Sequence, residues 1–172
     1  PVHLNDVTRT YFERSAAITP GPMGEAMRAV ARNPNDARAV ALLSSDKAYN
    51  SQLRTSCVAT MLEGGHAPNA LPQRARANVN CRILPNDDPE EIHRTLERVI
   101  GDPNVTVKPV APAKPSPPSP LTPALMGEVE RVTKEMWPGV PVIPTMSTGA
   151  TDGLYLRNAG IPVYGVSGFF YG

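Results

Sequence analysis

The stretch TSCVATMLEGGHAPNALPQRARANVNCRILP, residues 55–85, decides how the chain is organised. Its second half alternates without a break, with Arg74, Arg76, Asn78, Asn80 and Arg82 on one side and Ala75, Ala77, Val79, Cys81 and Ile83 on the other. Successive strand side chains point to opposite faces, so this is a half-buried strand with one polar face. The connection before it carries Gly64, Gly65, Pro68, Asn69 and Pro72, residue types that turn a chain. An antiparallel hairpin is therefore expected, with Leu53 to Glu63 as its first strand and Arg74 to Leu84 as its second. Centred near Asn69, it places Cys57 and Cys81 roughly opposite each other. A disulfide and two buried free thiols both fit that placement, and the compartment stays open.

On the N-terminal side, residues 1–50 read as helical pieces broken by turns. PGPMGEAMRAVARNP has Pro22 in a first turn and Met23, Met27, Val30 and Ala31 at helical spacing; NDARAVALLSSDKAYN offers Asn35 or Asp36 as a cap. On the C-terminal side, NDDPEEIHRTLERVIG is a helix opened by Asp87 or Asp88 and Pro89, with Ile92, Leu96, Val99 and Ile100 as its apolar stripe. A strand from Asn104 to Val110 comes next. Helix, strand, strand, helix, strand fits part of a ferredoxin-like β-α-β-β-α-β sandwich, its helices covering the face with Ala75, Val79 and Ile83.

Proline at 109, 112, 115, 117, 118, 120 and 123 enforces an extended path and marks a domain boundary. Beyond it, Thr122 and Pro123 open a helix to about Met136. PVIPTM then reads as a short strand, STGATDG as a turn, Tyr155 to Asn158 as helical, and IPVYGVSG as another strand. Strand, helix, strand indicates a fragment of a mostly parallel α/β sheet. The expected class is α+β: a helical segment at 1–50, a ferredoxin-like lid at 51–110, a connector at 111–122 and a partial α/β domain at 123–172. The start PVHLND, without a methionine, and the abrupt stop after GVSGFFYG are expected to be cuts from a longer protein.

Chemistry is sparse. The formal charge of +1 gives no global attraction to nucleic acid or to an anionic membrane, and no apolar run approaches a membrane span. An RNA-binding sheet face is disfavoured because neither hairpin strand carries an aromatic residue to stack a base. The histidines His3, His66 and His93 lack metal-ligand spacing, His93 being expected on a solvated helix face and His66 in a surface loop. Two features remain. Asn69 and Arg82 could together grip a carboxylate through an amide and a guanidinium. Thr148 and Gly149, with Ala150, precede a short helix and could offer hydroxyl and backbone N–H groups to an anion, with Asp152 as a cap.

TMLEGGHAPNALPQRARANVNCRILP resembles a stretch of the zinc metallopeptidase family of aminoacylase, carboxypeptidase S and succinyl-diaminopimelate desuccinylase. The shared features are Gly64-Gly65, the turn from Asn69 to Pro72 and a strand ending in Arg82. The run at 147–152 with Gly160-Ile161-Pro162 is similar to a small-residue turn late in that family's catalytic domain. The resemblance implies a lid that mediates homodimerisation, with Asn69, Arg82, Thr148 and Gly149 binding the carboxylate of a peptide or N-acyl amino acid. Two zinc ions are implied for a full-length parent, and none for this chain, whose expected metal ligands and general base lie outside it. The fragment alone is then expected to be inactive. The rival reading is a non-catalytic ferredoxin-like module that binds a small acid or dimerises.

Overall fold

The computed structural model describes residues 2–166. It is an α+β fold, with one antiparallel two-stranded sheet and seven helices among those residues. Four helices form the packed part: α1 (Asp6–Ile18), α2 (Gly21–Arg32), α3 (Ala37–Ser44) and α4 (Lys47–Leu53). Asn5 and Thr8 open α1 with a reciprocal capping box, Pro22 sits in the first turn of α2, and the Asp36 and Asp46 carboxylates accept backbone N–H groups at the starts of α3 and α4. Phe12, Met27, Val30, Leu43 and Leu53 are fully buried between them. Gly24 lets α2 approach α1, because a Cβ there would stand 2.0 Å from the Thr19 carbonyl oxygen.

The hairpin leaves this core as β1 (Ser56–Gly64) and β2 (Ala75–Arg82). Ser56 pairs with Arg82, Cys57 with Cys81 and Gly64 with Ala75. Cys57 and Cys81 form a disulfide, which settles that pair in favour of the bond. A bulge lies between Ala59 and Met61; the extra residue, Thr60, is held by Asn78, whose Nδ2 donates to its hydroxyl at 2.9 Å. The bulge shifts the pairing by one, so that Glu63 rather than Leu62 stands opposite Arg76.

Several expected strands are absent. No strand forms over 104–110 or 141–146, and the expected strand at 161–168 is non-strand to 166, with 167–168 lying outside the described residues. Side chains take the place of the ladder at single carbonyls in these segments. His93 Nε2, on α5 (Pro89–Ile100), lies 3.2 Å from the Val107 carbonyl and donates to it. His93 is therefore half-buried between α5 and 104–110 rather than on a solvated face. Nor do helices close over the hairpin: Val79 is 43% exposed, Ala75 is exposed, and α5 buries no residue. The apolar face that Ala75 and Val79 define keeps its access to solvent.

The proline-rich connector is held along its length. Ser116 Oγ accepts from Arg157, and the Ser119 hydroxyl both donates to Val163 O at 2.7 Å and accepts from Val163 N at 2.9 Å. These contacts tie it to α7 (Gly153–Asn158) and the segment after it, while α6 (Pro123–Met136) starts, as expected, from a Thr122 cap.

A two-stranded hairpin without a covering helix is marginal in water, so the disulfide is expected to hold this one together. Mass spectrometry of the unreduced chain should show the loss of two hydrogens. On reduction, amide exchange should accelerate across 56–64 and 75–82 while the amides of α1 and α2 keep their protection. Equal protection of the hairpin in both redox states would show that the bond is dispensable.

Candidate functional site

Arg82 is the last residue of β2, one position from the disulfide and opposite the first residue of β1. Its position is set from the base of the hairpin. Thr55 Oγ1 accepts from Leu84 N at 2.8 Å and donates to Asp87 Oδ2 at 2.5 Å. Asp87 Oδ1 in turn accepts from His3 Nδ1 at 2.8 Å, and His3 N donates to Leu53 O. The chain is thus cross-tied where it leaves the helical core and where it returns from β2.

The guanidinium of Arg82 is exposed. Its Nη1 reaches the Thr148 carbonyl at 3.5 Å, a long hydrogen bond, and among the described residues no carboxylate stands within ion-pair distance of it. Arg82 therefore keeps donors for a bidentate partner. Thr148 and Gly149 lie exposed in the turn before α7, where Gly149 N donates to Ser147 Oγ at 3.4 Å. Thr148 meets Arg82 through its carbonyl, not through a hydroxyl or an N–H group. Asp152 stands at the cap of α7, but its side chain accepts no cap bond; the N–H groups of Leu154 and Tyr155 go to the Thr151 and Asp152 carbonyls.

Asn69 is placed differently. It lies in the connection beyond Gly64 and Ala75, at the other end of the hairpin, and its amide makes no hydrogen bond among the described residues. The eight residues of β2 separate Arg82 from that end by about 23 Å at the usual strand rise. The structure therefore joins Arg82 to Thr148 and leaves Asn69 apart. The tip has its own cleft of about 340 Å³, lined by Gly65, His66, Gln73 and Arg74. A second, of about 230 Å³, lies beside His3, Asn5, Asn86 and Asp87. Neither contains Arg82 or Thr148.

Two residues that hold the turn are not marked by any sequence motif. Gln52, at the end of α4, donates from Nε2 to Met146 O at 2.9 Å, and Arg14, on α1, donates to Val142 O at 2.8 Å and to Glu130 at 2.6 Å. Their partners are carbonyls far along the chain, which no local pattern specifies. Among the described residues no three His, Cys, Asp or Glu side chains come together as metal ligands, so the side chains present do not fit a zinc centre. No helix among them is long and apolar enough to cross a membrane.

A model of the peptidase dimerisation domain, from the M20 peptidases, matches residues 15–108. Among curated proteins, the chain is 28% identical over 112 residues to the probable carboxypeptidase S-like 2 of Dictyostelium discoideum, covering 64% of this chain and 22% of that protein. It is 27% identical over 124 residues to the N-fatty-acyl-amino acid synthase/hydrolase PM20D1 of Xenopus tropicalis, covering 72% of this chain and 24% of that protein. The chain thus spans about a quarter of the length of these relatives or less. No solved structure matches.

The cross-tie at the base of the hairpin is expected to support the site. Thr55→Val keeps the shape but orphans Leu84 N and removes a donor to Asp87, costing about 1–3 kcal/mol of unfolding free energy in urea titrations. Thr55→Ser should recover most of it. Indistinguishable midpoints for Thr55→Val and the unmodified chain would show that the tie carries no weight.

Proposed function

Because the chain belongs to the peptidase dimerisation domain family of the M20 metallopeptidases, we propose that it is the lid of an amide hydrolase and anchors the free carboxylate of the substrate. Family membership makes the parent a hydrolase of a generally metal-dependent group. The finer reading concerns this chain's own residues. The observation that carries it is Arg82: an exposed guanidinium with no acidic partner among the described residues, fixed at the disulfide end of the hairpin and in reach of the Thr148–Gly149 turn. A planar fork suits a carboxylate, which it can bind through two parallel hydrogen bonds. Asn69, at the hairpin tip, would serve the substrate separately from Arg82.

The substrate class in this reading is a peptide or an N-acyl amino acid, in keeping with a carboxypeptidase-like and an acyl-amino acid relative. Residues 51–110 form the lid, 1–50 its helical support, 111–122 the connector, and the part from 123 onward the edge of a catalytic domain. The two zinc ions expected of the parent would take their ligands from residues outside those described, and the fragment alone would hydrolyse nothing. Homodimerisation through the lid is part of the same reading. Val58, Met61 and Leu62 on β1 are 64%, 59% and 80% exposed, an apolar edge that a second copy would cover.

In the intact enzyme, Arg82→Ala should lower kcat/KM for a carboxylate-bearing amide on the order of ten- to a hundredfold, the factor expected when a charge-assisted contact is lost. The corresponding amide lacking the carboxylate should show little change. The 172-residue chain with added zinc serves as the blank; hydrolysis by it would remove the claim that the chemistry lies elsewhere. Equal losses on both substrates would mean that Arg82 does not read the carboxylate. For the dimer, sedimentation should give a two-chain species that Leu62→Lys converts to one chain; a monomer at all concentrations would count against lid-mediated assembly.

A further inference from the structure

We propose that Gln52 is a positioning residue for the carboxylate anchor, its amide holding the Met146 carbonyl so that the turn at 147–149 stays against Arg82. The inference rests on the reading of Arg82 as the anchor. Gln52 is 6% exposed, beside fully buried Leu53, and its Nε2 donates to Met146 O at 2.9 Å. Its Oε1 is buried and has no hydrogen-bond partner among the described residues. An amide with half of its hydrogen-bonding capacity unused is a poor choice for packing, because the orphan acceptor is penalised there. What the side chain does provide is a hold on one carbonyl.

That carbonyl is well placed. Two residues on, the Thr148 carbonyl accepts from Arg82. Three residues after Gln52 the chain reaches Thr55, and at Ser56 it begins β1 opposite Arg82. Gln52 and Arg82 therefore lie at the same end of the hairpin, and residues 146–148 bridge them. The segment leading into the bridge has no strand ladder of its own; Arg14 holds its earlier end at Val142 O and Gln52 its later end. Removing the Gln52 donor frees the end that carries the turn.

The test uses the full chain and N-acetyl-L-alanine as a carboxylate probe, titrated by NMR, with Gln52→Met as a swap of similar volume that lacks the donor and the orphan acceptor. Gln52→Glu, which keeps the shape but loses the Nε2 donor, gives a second route if the first variant fails to fold. Gln52→Met is expected to lower the backbone order parameters of Ser147, Thr148 and Gly149 and to raise Kd roughly three- to tenfold. A packing role alone would be met by the volume-matched Met and would leave both the order of the turn and Kd unchanged. Arg82→Ala should weaken binding by more than about tenfold. If Arg82→Ala weakens binding while Gln52→Met leaves order and Kd unchanged, the Gln52 inference is overturned and the anchor stands. If the chain does not bind the probe, or Arg82→Ala binds it as well as the unmodified chain, the anchor reading fails and takes this inference with it.

Discussion

The structure depends on the register between β1 and β2. Side chains alternate along a strand, so a slip of one residue would turn Arg82 to the opposite face and bring Cys81 in its place. Hairpins are usually held in register by a buried face, but here that face is open, with Val79 and Leu62 exposed. The constraint is moved to the base instead. The Cys57–Cys81 disulfide, the neighbouring Ser56 and Arg82 pair and the Thr55 hydroxyl between Leu84 N and Asp87 lock the end next to the helical core. The tip, with Asn69, is tied far less.

The same economy of secondary structure recurs where strands are missing. A backbone carbonyl needs a donor whether or not a ladder forms, and here side chains supply several. Arg14 serves Val142, Gln52 serves Met146, His93 serves Val107, and Ser119 satisfies both backbone groups of Val163. These three segments thereby keep a defined course over helices and the connector. The helical part is a platform as well as a core, since two of its polar side chains fix the course of 142–146.

Elements defined by local chemistry were legible in the sequence. The Asp88 and Thr122 caps, the two proline-opened helices, the hairpin with its facing cysteines and the helical reading of the N-terminal third all follow from short-range patterns. The helix that starts at Asp6 was not separately visible because its capping box pairs Asn5 with Thr8 instead of ending in an acidic residue. Whether the cysteines are bonded depends on oxidation as well as placement. The strands expected at 104–110 and 141–146 do not form, since a strand exists only where a partner offers its edge. At the site, the resemblance gathers Asn69, Arg82, Thr148 and Gly149 around one carboxylate, whereas the structure brings Arg82 to the turn at 147–149 and leaves Asn69 at the far end of the hairpin. Gln52 was invisible because its partner lies 94 residues away.

In the proposed function, anchoring and hydrolysis are physically separable, which is why a lid can hold one without the other. A carboxylate bound away from the scissile amide contributes little to the chemical step if it is held equally in ground and transition states. It contributes more when the grip is completed only as the lid closes, since binding energy is then spent on orientation. In that reading the contact between Arg82 and Thr148, a long hydrogen bond, would join the lid to the catalytic side. A carboxylate entering there would be gripped by Arg82 beside a turn that Gln52 already restrains from the helical platform. The pre-ordering of that turn lowers the entropy lost on binding, and a short polar side chain on a helix thereby acts on a substrate it need not touch.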